Sequence, residues 1–255
     1  MHEGRCGVFP RLLRCLVTTM YNRFGGIKWQ RSQKMSSASE LPARTRGEEL
    51  INMTSHIVGG AFGFIALLAC VIVAAYHQNA LGVVSGIIYG MTVILLFTMS
   101  SIYHGLKKEL PKKVFRVLDY CTIYILIAGT YTPILLGEFR RVYPFDAWLI
   151  FSAIWGLALV GITLTAIDRK KFAPFSIVCY LGMGWMALFR IHRLVEVLGA
   201  VFFALILVGG VLYTLGVVFY GLGKQKKYMH SVFHFFVIFA SVTHSVAIAV
   251  FVMPV

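Results

Sequence analysis

The chain reads as an all-α protein: a bundle of seven transmembrane helices with a cytoplasmic N-terminus and a C-terminus outside. Three observations predict this. Of 255 residues, 58% are hydrophobic and the mean hydropathy is +0.78, too apolar for an ordinary soluble domain. Beyond residue 47 the apolar runs are roughly 18–25 residues long, enough for a helix to cross a bilayer. The linkers between them are short and carry most of the charge, so consecutive helices should be antiparallel neighbours.

Residues 1–47 form a basic N-terminal extension, disordered or interfacial in this reading, and residues 48–255 form the membrane domain. From Arg5 to Lys34 the extension holds seven basic residues and no acid. Its apolar run, 12–21, contains Arg14 and is too short to span. A basic interfacial helix, a targeting segment and an upstream start before Met35 are the three readings of this stretch.

Seven spans follow, at roughly 53–76, 80–104, 116–137, 145–167, 173–190, 197–221 and 229–253. The extension and the 2–3, 4–5 and 6–7 loops hold 20 Lys and Arg, against four on the other side. Without the extension the bias is still 11 to four, and the positive-inside rule makes the basic side cytoplasmic. The net charge of +14 is therefore read as orienting charge, with no nucleic-acid partner implied. Five scattered cysteines without a CxxC pair exclude a disulfide framework and a thiolate metal site. Gly82, Gly86 and Gly90 form a GxxxGxxxG stripe in the second span, and Gly59 and Gly63 form a pair in the first. Such faces allow close helix approach, within the chain or in a homo-oligomer. Gly129-Thr130-Tyr131-Thr132-Pro133 should kink the third span and open a cavity, because Pro removes a backbone hydrogen bond.

With this topology, ionisable groups gather at one depth. His104 ends the second span, Asp119 begins the third, and His230 and His234 begin the seventh, all on the cytoplasmic side. Buried ionisable groups in a membrane are costly and mark function. His230 and His234 are four apart, so both imidazoles share a helix face and can hold one metal ion. His104 would add a third nitrogen, and three histidines suit zinc with a fourth position left for water, as in catalytic sites. Ser100, one turn before His104, could hold that water or a substrate oxygen, and Asp119 could take its proton. Asp119 has two other readings: a pair with Arg116 or a nearby lysine, or a carboxylate stabilised at a helix start. Glu49, Asn52 and His56 share one face of the first span on the same side, where they could orient the histidine ligands. His244 lies deeper in the seventh span and would line a cavity above the metal. Walker loops, dinucleotide fingerprints and Gly-x-Ser-x-Gly elbows are absent from the sequence.

The ordered motifs are Glu49-x-x-Asn52-x-x-x-His56, Ser100-Ser101-Ile102-Tyr103-His104, Leu118-Asp119-Tyr120, Ala128 through Pro133, Met183-Gly184-Trp185, and His230-x-x-x-His234 followed by His244. Together they resemble the hemolysin III family, the bacterial branch of the progestin and adipoQ receptors, over about residues 48–255. Gly209 through Tyr220 also resembles that branch, whereas Thr54-Ser55 replaces the more usual Leu-Thr. The resemblance implies seven helices in the cell membrane and an intramembrane zinc on His104, His230 and His234, with Ser100 and Asp119 beside it. The wider superfamily, with its alkaline ceramidases and adiponectin receptors, implies zinc-dependent hydrolysis of a membrane lipid amide. The family name implies a pore-forming cytolysin. A third reading is a membrane sensor or homeostasis protein with structural zinc. No span shows the continuous polar stripe that suits a water-filled channel.

Overall fold

A computed structural model of the chain describes residues 44–255. The expected basic extension, with its apolar run, lies outside the described residues except for 44–47. The described residues are helical, without strands. Six helical stretches among them are long and apolar enough to cross a membrane, and the protein is a multi-pass membrane protein. Residues such as Ile65, Ile72, Leu159, Val178 and Val218 turn outward, while Asn52, Ser100, His104, His234 and Ser245 are buried. An apolar exterior around polar positions is the pattern expected where lipid replaces water.

Helix α1 (Arg46–Tyr76) starts earlier than the span expected at 53. Its start is a capping box: Glu48 N donates to Thr45 Oγ1 at 3.2 Å, and Thr45 N donates to Glu48 Oε2 at 2.8 Å. Asn79 caps α2 (Ala80–Gly105) through a 2.8 Å bond from Gly82 N, and its amide nitrogen also donates to Met253 O at 3.1 Å. The start of α2 is thereby tied to the end of the chain.

The glycine stripes are occupied within the chain. A Cβ on Gly59 would fall 2.6 Å from the Phe97 ring, and one on Gly90 would fall 2.7 Å from Leu67 Cα. These faces therefore bring α1 and α2 together.

Helix α3 (Glu109–Leu136) starts seven residues before the expected span, because part of the basic loop rides on its first turns. Lys113 pairs with Glu109 at 2.7 Å, four residues away, and Lys112 with Glu49 at 2.8 Å. The helix continues through Pro133 to Leu136, and Thr130 and Tyr131 of the expected kink line the cavity described below.

A short helix α4 (Glu138–Val142) leads into α5 (Pro144–Gly184), which breaks at Asp168 (φ −153°, ψ 88°). Thr165 Oγ1 and Ser176 Oγ are 3.2 Å apart, although eleven residues of straight helix would separate them by about 16 Å. The chain therefore turns back at Asp168, whose Oδ1 accepts from Lys171 N at 2.9 Å and starts the returning arm. The outgoing arm, 144–167, runs antiparallel to α3, with Trp155 Nε1 donating to Thr132 Oγ1 at 3.2 Å and Gly161 against the Tyr124 ring. The returning arm, 169–184, runs beside α3 in its own direction, with Tyr180 OH donating to Tyr120 O at 2.8 Å. These arms occupy the fourth and fifth expected spans.

The fifth span was expected to reach 190, but the α-helix stops at Gly184. The Tyr131 hydroxyl donates to Gly184 O at 3.0 Å and accepts from Ala187 N at 2.9 Å, replacing helical bonds at the break. A 3₁₀ turn (Met186–Arg190) and α6 (Ile191–Leu198) follow, then α7 (Ala200–Leu222) after Gly199, whose φ of +86° suits glycine. Helix α8 (Met229–Ala247) ends in a π turn (Ile248–Val252). At the end of the bundle opposite His104, buried Asp146 meets Arg193 and the Nε of Arg190, the latter at 3.2 Å.

The α1–α2 packing makes a stability prediction. Gly90→Ala should lose about 1–3 kcal/mol, because relief requires moving Leu67 backbone. Gly60→Ala should be nearly silent, its nearest neighbour being Phe97 Cβ at 3.9 Å. Thermal unfolding of both variants in the same detergent measures the difference; equal midpoints would refute the packing account.

Candidate metal centre

Two helices bring three histidines together. His104 sits in the last turn of α2, and His230 and His234 lie on successive turns at the start of α8. Tyr228, in the left-handed conformation, precedes α8, and its N–H donates to Glu48 Oε1 at 2.8 Å. The α1 start thus fixes the α8 start and the direction of its first histidines.

His104, His230 and His234 are all buried, and each offers a ring nitrogen within 4.8 Å of the others. The Nε2 atoms of His230 and His234 are 3.2 Å apart. Two nitrogens each about 2.0 Å from one tetrahedral metal ion lie about 3.3 Å apart, so this spacing matches the edge of a zinc coordination sphere. His104 Nδ1 donates to Glu49 Oε2 at 2.5 Å. That bond fixes the tautomer and leaves the Nε2 lone pair bare, and Nε2 is buried without a partner. A carboxylate behind a ligand imidazole is the usual outer support of a metal-binding histidine. The donor set, its spacing and the unpartnered nitrogen fit a metal ion.

The other expected site residues fall into two groups. Ser100 and Asp119 line one cavity with His230 and His234. His56 stacks on His234 with ring centroids 3.7 Å apart and meets Phe97 edge-on at 5.0 Å. It bonds neither ring nitrogen to a ligand histidine, since both are unpartnered. Asn52 also reaches none of the histidines; its Oδ1 accepts from Ser231 Oγ at 2.6 Å. His244 donates from Nε2 to Ile206 O at 3.0 Å and lines the cavity further along α8.

The cavity runs from Arg44, Ser100 and Asp119 past Leu126 and Tyr131 to Trp185. It is bridged by a bond from Trp185 Nε1 to Thr214 Oγ1 at 3.1 Å and, nearer the histidines, by a 2.6 Å contact between the Tyr120 and Tyr220 hydroxyls. Sequence reading missed three contributors: Lys112 behind Glu49, Ser231 behind Asn52, and the Tyr120–Tyr220 pair. In the sequence Lys112 is one of several lysines between the second and third spans. Ser231 and Tyr120 had one available signal, adjacency to His230 and Asp119.

This geometry predicts about one divalent ion per chain in purified protein, lost in His230→Ala/His234→Ala. Glu49→Gln keeps the shape but weakens the support of His104, so metal affinity should fall about 10- to 100-fold. Plasma mass spectrometry and chelator competition give the two readings. Unchanged metal in the double variant would exclude this centre.

A family model described as "Haemolysin-III related" matches residues 44–245. Hemolysin-3 of Bacillus cereus is 34% identical over 207 residues, covering 81% of this chain and 93% of that protein. The Hemolysin-3 homolog of Bacillus subtilis (strain 168) is 34% identical over 191 residues, 75% of this chain and 88% of that protein. The human Monocyte to macrophage differentiation factor is 29% identical over 167 residues, 63% of this chain and 67% of that protein. No solved structure matches the chain. The matched region takes in every helix that supplies the histidine cluster, and the chain belongs to the haemolysin-III related family.

Proposed function

We propose that the protein is a zinc-dependent hydrolase of a membrane lipid amide, with zinc held by His104, His230 and His234. The observation that carries this reading is the meeting of that trio beside a largely apolar cavity, which His230 and His234 line together with Ser100 and Asp119. A bound zinc ion supplies a Lewis acid for the amide carbonyl and acidifies water. Asp119 accepts a proton from the attacking water and returns it to the leaving amine nitrogen. Ser100, on the cavity wall with Asp119, offers a hydroxyl to hold the water or a substrate oxygen. Glu49 keeps His104 in one tautomer. The apolar walls contributed by Ile123, Leu126, Ile127 and Val217 exclude water and receive the acyl chain. In this reading the arms of α5 cross the membrane separately, giving seven spans, and the histidines lie near the cytoplasmic face, where the basic loops gather.

A cytolysin is the second reading, favoured by the name Hemolysin-3 borne by the two Bacillus relatives. A structural zinc in a membrane sensor is the third. The variant Asp119→Asn separates them, because Asp119 is not one of the three ligands. It should retain metal while hydrolysis of N-acyl lipids falls about 10²- to 10⁴-fold. Turnover equal to wild type would remove Asp119 from the chemistry. Conductance in a planar bilayer that is indifferent to the substitution would favour the pore.

A further inference from the structure

The wall of the cavity carries one permanent cation, Arg44, and one acid, Asp119. The Arg44 guanidinium is weakly met among the described residues. Its Nη1 makes a long 3.4 Å bond to the Tyr103 hydroxyl, and its Nε is buried with no acceptor. No carboxylate forms an ion pair with it among the described residues. A guanidinium stays charged at any physiological pH and offers five N–H donors in a planar fork that matches an oxyanion. Leaving such a group partly buried without an anion is costly.

Other cations stand on the same rim. The Arg169 guanidinium lies 5.2 Å over the Tyr120 ring, and Lys224 Nζ lies 5.6 Å over the Tyr220 ring. Those two tyrosines line the cavity together with Asp119 and Arg44. Membrane orientation accounts for basic loops, and Lys107, Lys170 and Lys226 serve it. It does not call for a guanidinium in the wall of a cavity.

We propose that the cavity takes an amide lipid whose head carries an acidic group beside the amide, held by Arg44. This rests on the lipid-amide reading above and narrows it. The shared chemistry is an oxyanion, carboxylate or phosphate, on the amine side of the amide; an N-acyl amino acid is the simplest example. Arg44 and Asp119 mark the head end, and the α3 wall from Tyr120 to Tyr131 offers about 16 Å along which the tail can lie. Arg44 thus sets which lipid binds, while Asp119 acts on the amide.

The test compares lipids that share a chain and an amide. N-palmitoylglycine, N-palmitoyl phosphoethanolamine, neutral N-palmitoylethanolamine and inorganic phosphate are each titrated by native mass spectrometry against metal-loaded Asp119→Asn protein. The same titrations are made with Arg44→Met and with Arg44→Lys added. Both acidic lipids should bind at least about tenfold tighter than the ethanolamide. Arg44→Met should bring them near parity without changing ethanolamide affinity, and Arg44→Lys should keep part of the preference. Metal content shows that the centre is intact; should Arg44→Met lose metal, Arg44→Lys carries the comparison. Parity in protein that retains Arg44, a full preference without it, or inorganic phosphate binding as tightly as the acidic lipids would each overturn the assignment. Wild-type turnover separates this failure from that of the hydrolase reading. Hydrolysis of both lipid classes without preference removes only the role of Arg44. Selective binding without hydrolysis by the wild type removes only the enzyme.

Discussion

The two oxygens of Glu49 tie the site together. Oε2 accepts from His104 on α2 at 2.5 Å and Oε1 accepts from Lys112 on α3 at 2.8 Å, so one α1 carboxylate links three helices. In a medium that cannot hydrate charge, such a group must be met inside the protein. Meeting it with one cation and one imidazole N–H settles three things at once. The ends of α2 and α3 are drawn to α1, the tautomer of His104 is set, and its other nitrogen is turned over to a further partner. The neighbouring acid, Glu48, does the equivalent for α8 through its bond from Tyr228 N. Two consecutive residues of α1 therefore register the helices that carry the histidines and Asp119.

Close packing makes this registration effective. Gly59 against Phe97 and Gly90 against Leu67 leave no room for a methyl group, so α1 and α2 meet along much of their length. Phe97 then presents its edge to His56, which in turn stacks on His234. A shift of α1 would thus be felt at a ring of the histidine cluster through two aromatic contacts. The small-residue stripes and the ionisable cluster, separate features in the sequence, belong to one assembly.

Much of this was legible in the sequence because membrane burial restricts where polar residues can stand. The topology count put His104, Asp119, His230 and His234 at one depth, and the i, i+4 spacing put the last two histidines on one face. Capping chemistry was equally readable: Thr45-x-x-Glu48 marks the true start of α1, earlier than hydropathy alone suggests. Partners across helices were less accessible. Nothing in the local sequence distinguishes Lys112, engaged by Glu49, from Lys107 in the preceding loop, since the difference lies in a helix 63 residues away. The outer-shell roles of Asn52 and His56 were read from spacing on one face, which fixes direction but not distance. Asn52 meets Ser231, and His56 stacks on His234. The turn at Asp168 was visible as a charged break, but folding back required the Thr165–Ser176 contact to establish it.

The two ends of the bundle treat buried charge differently, and the contrast separates scaffold from site. Opposite the histidines, Asp146 is met by two guanidiniums from the segment around α6, and Arg193 also lies 4.8 Å over the Tyr143 ring. That cluster joins the start of α5 to α6 within the chain itself. At the histidine end, the side chains are held on one side and unpartnered on the other. His104 has Glu49 behind Nδ1 and no partner at Nε2, His56 has none at either nitrogen, and Arg44 has none at Nε. Buried polar groups in native proteins are normally paired, so several unpaired donors and acceptors gathered at one end of the bundle need a common cause. On the proposed function, a metal ion would meet the first of these and a polar lipid head in the cavity the last. The folding energy forgone by leaving them open would then be recovered on binding, with ligand capture and helix registration at the same end of the molecule.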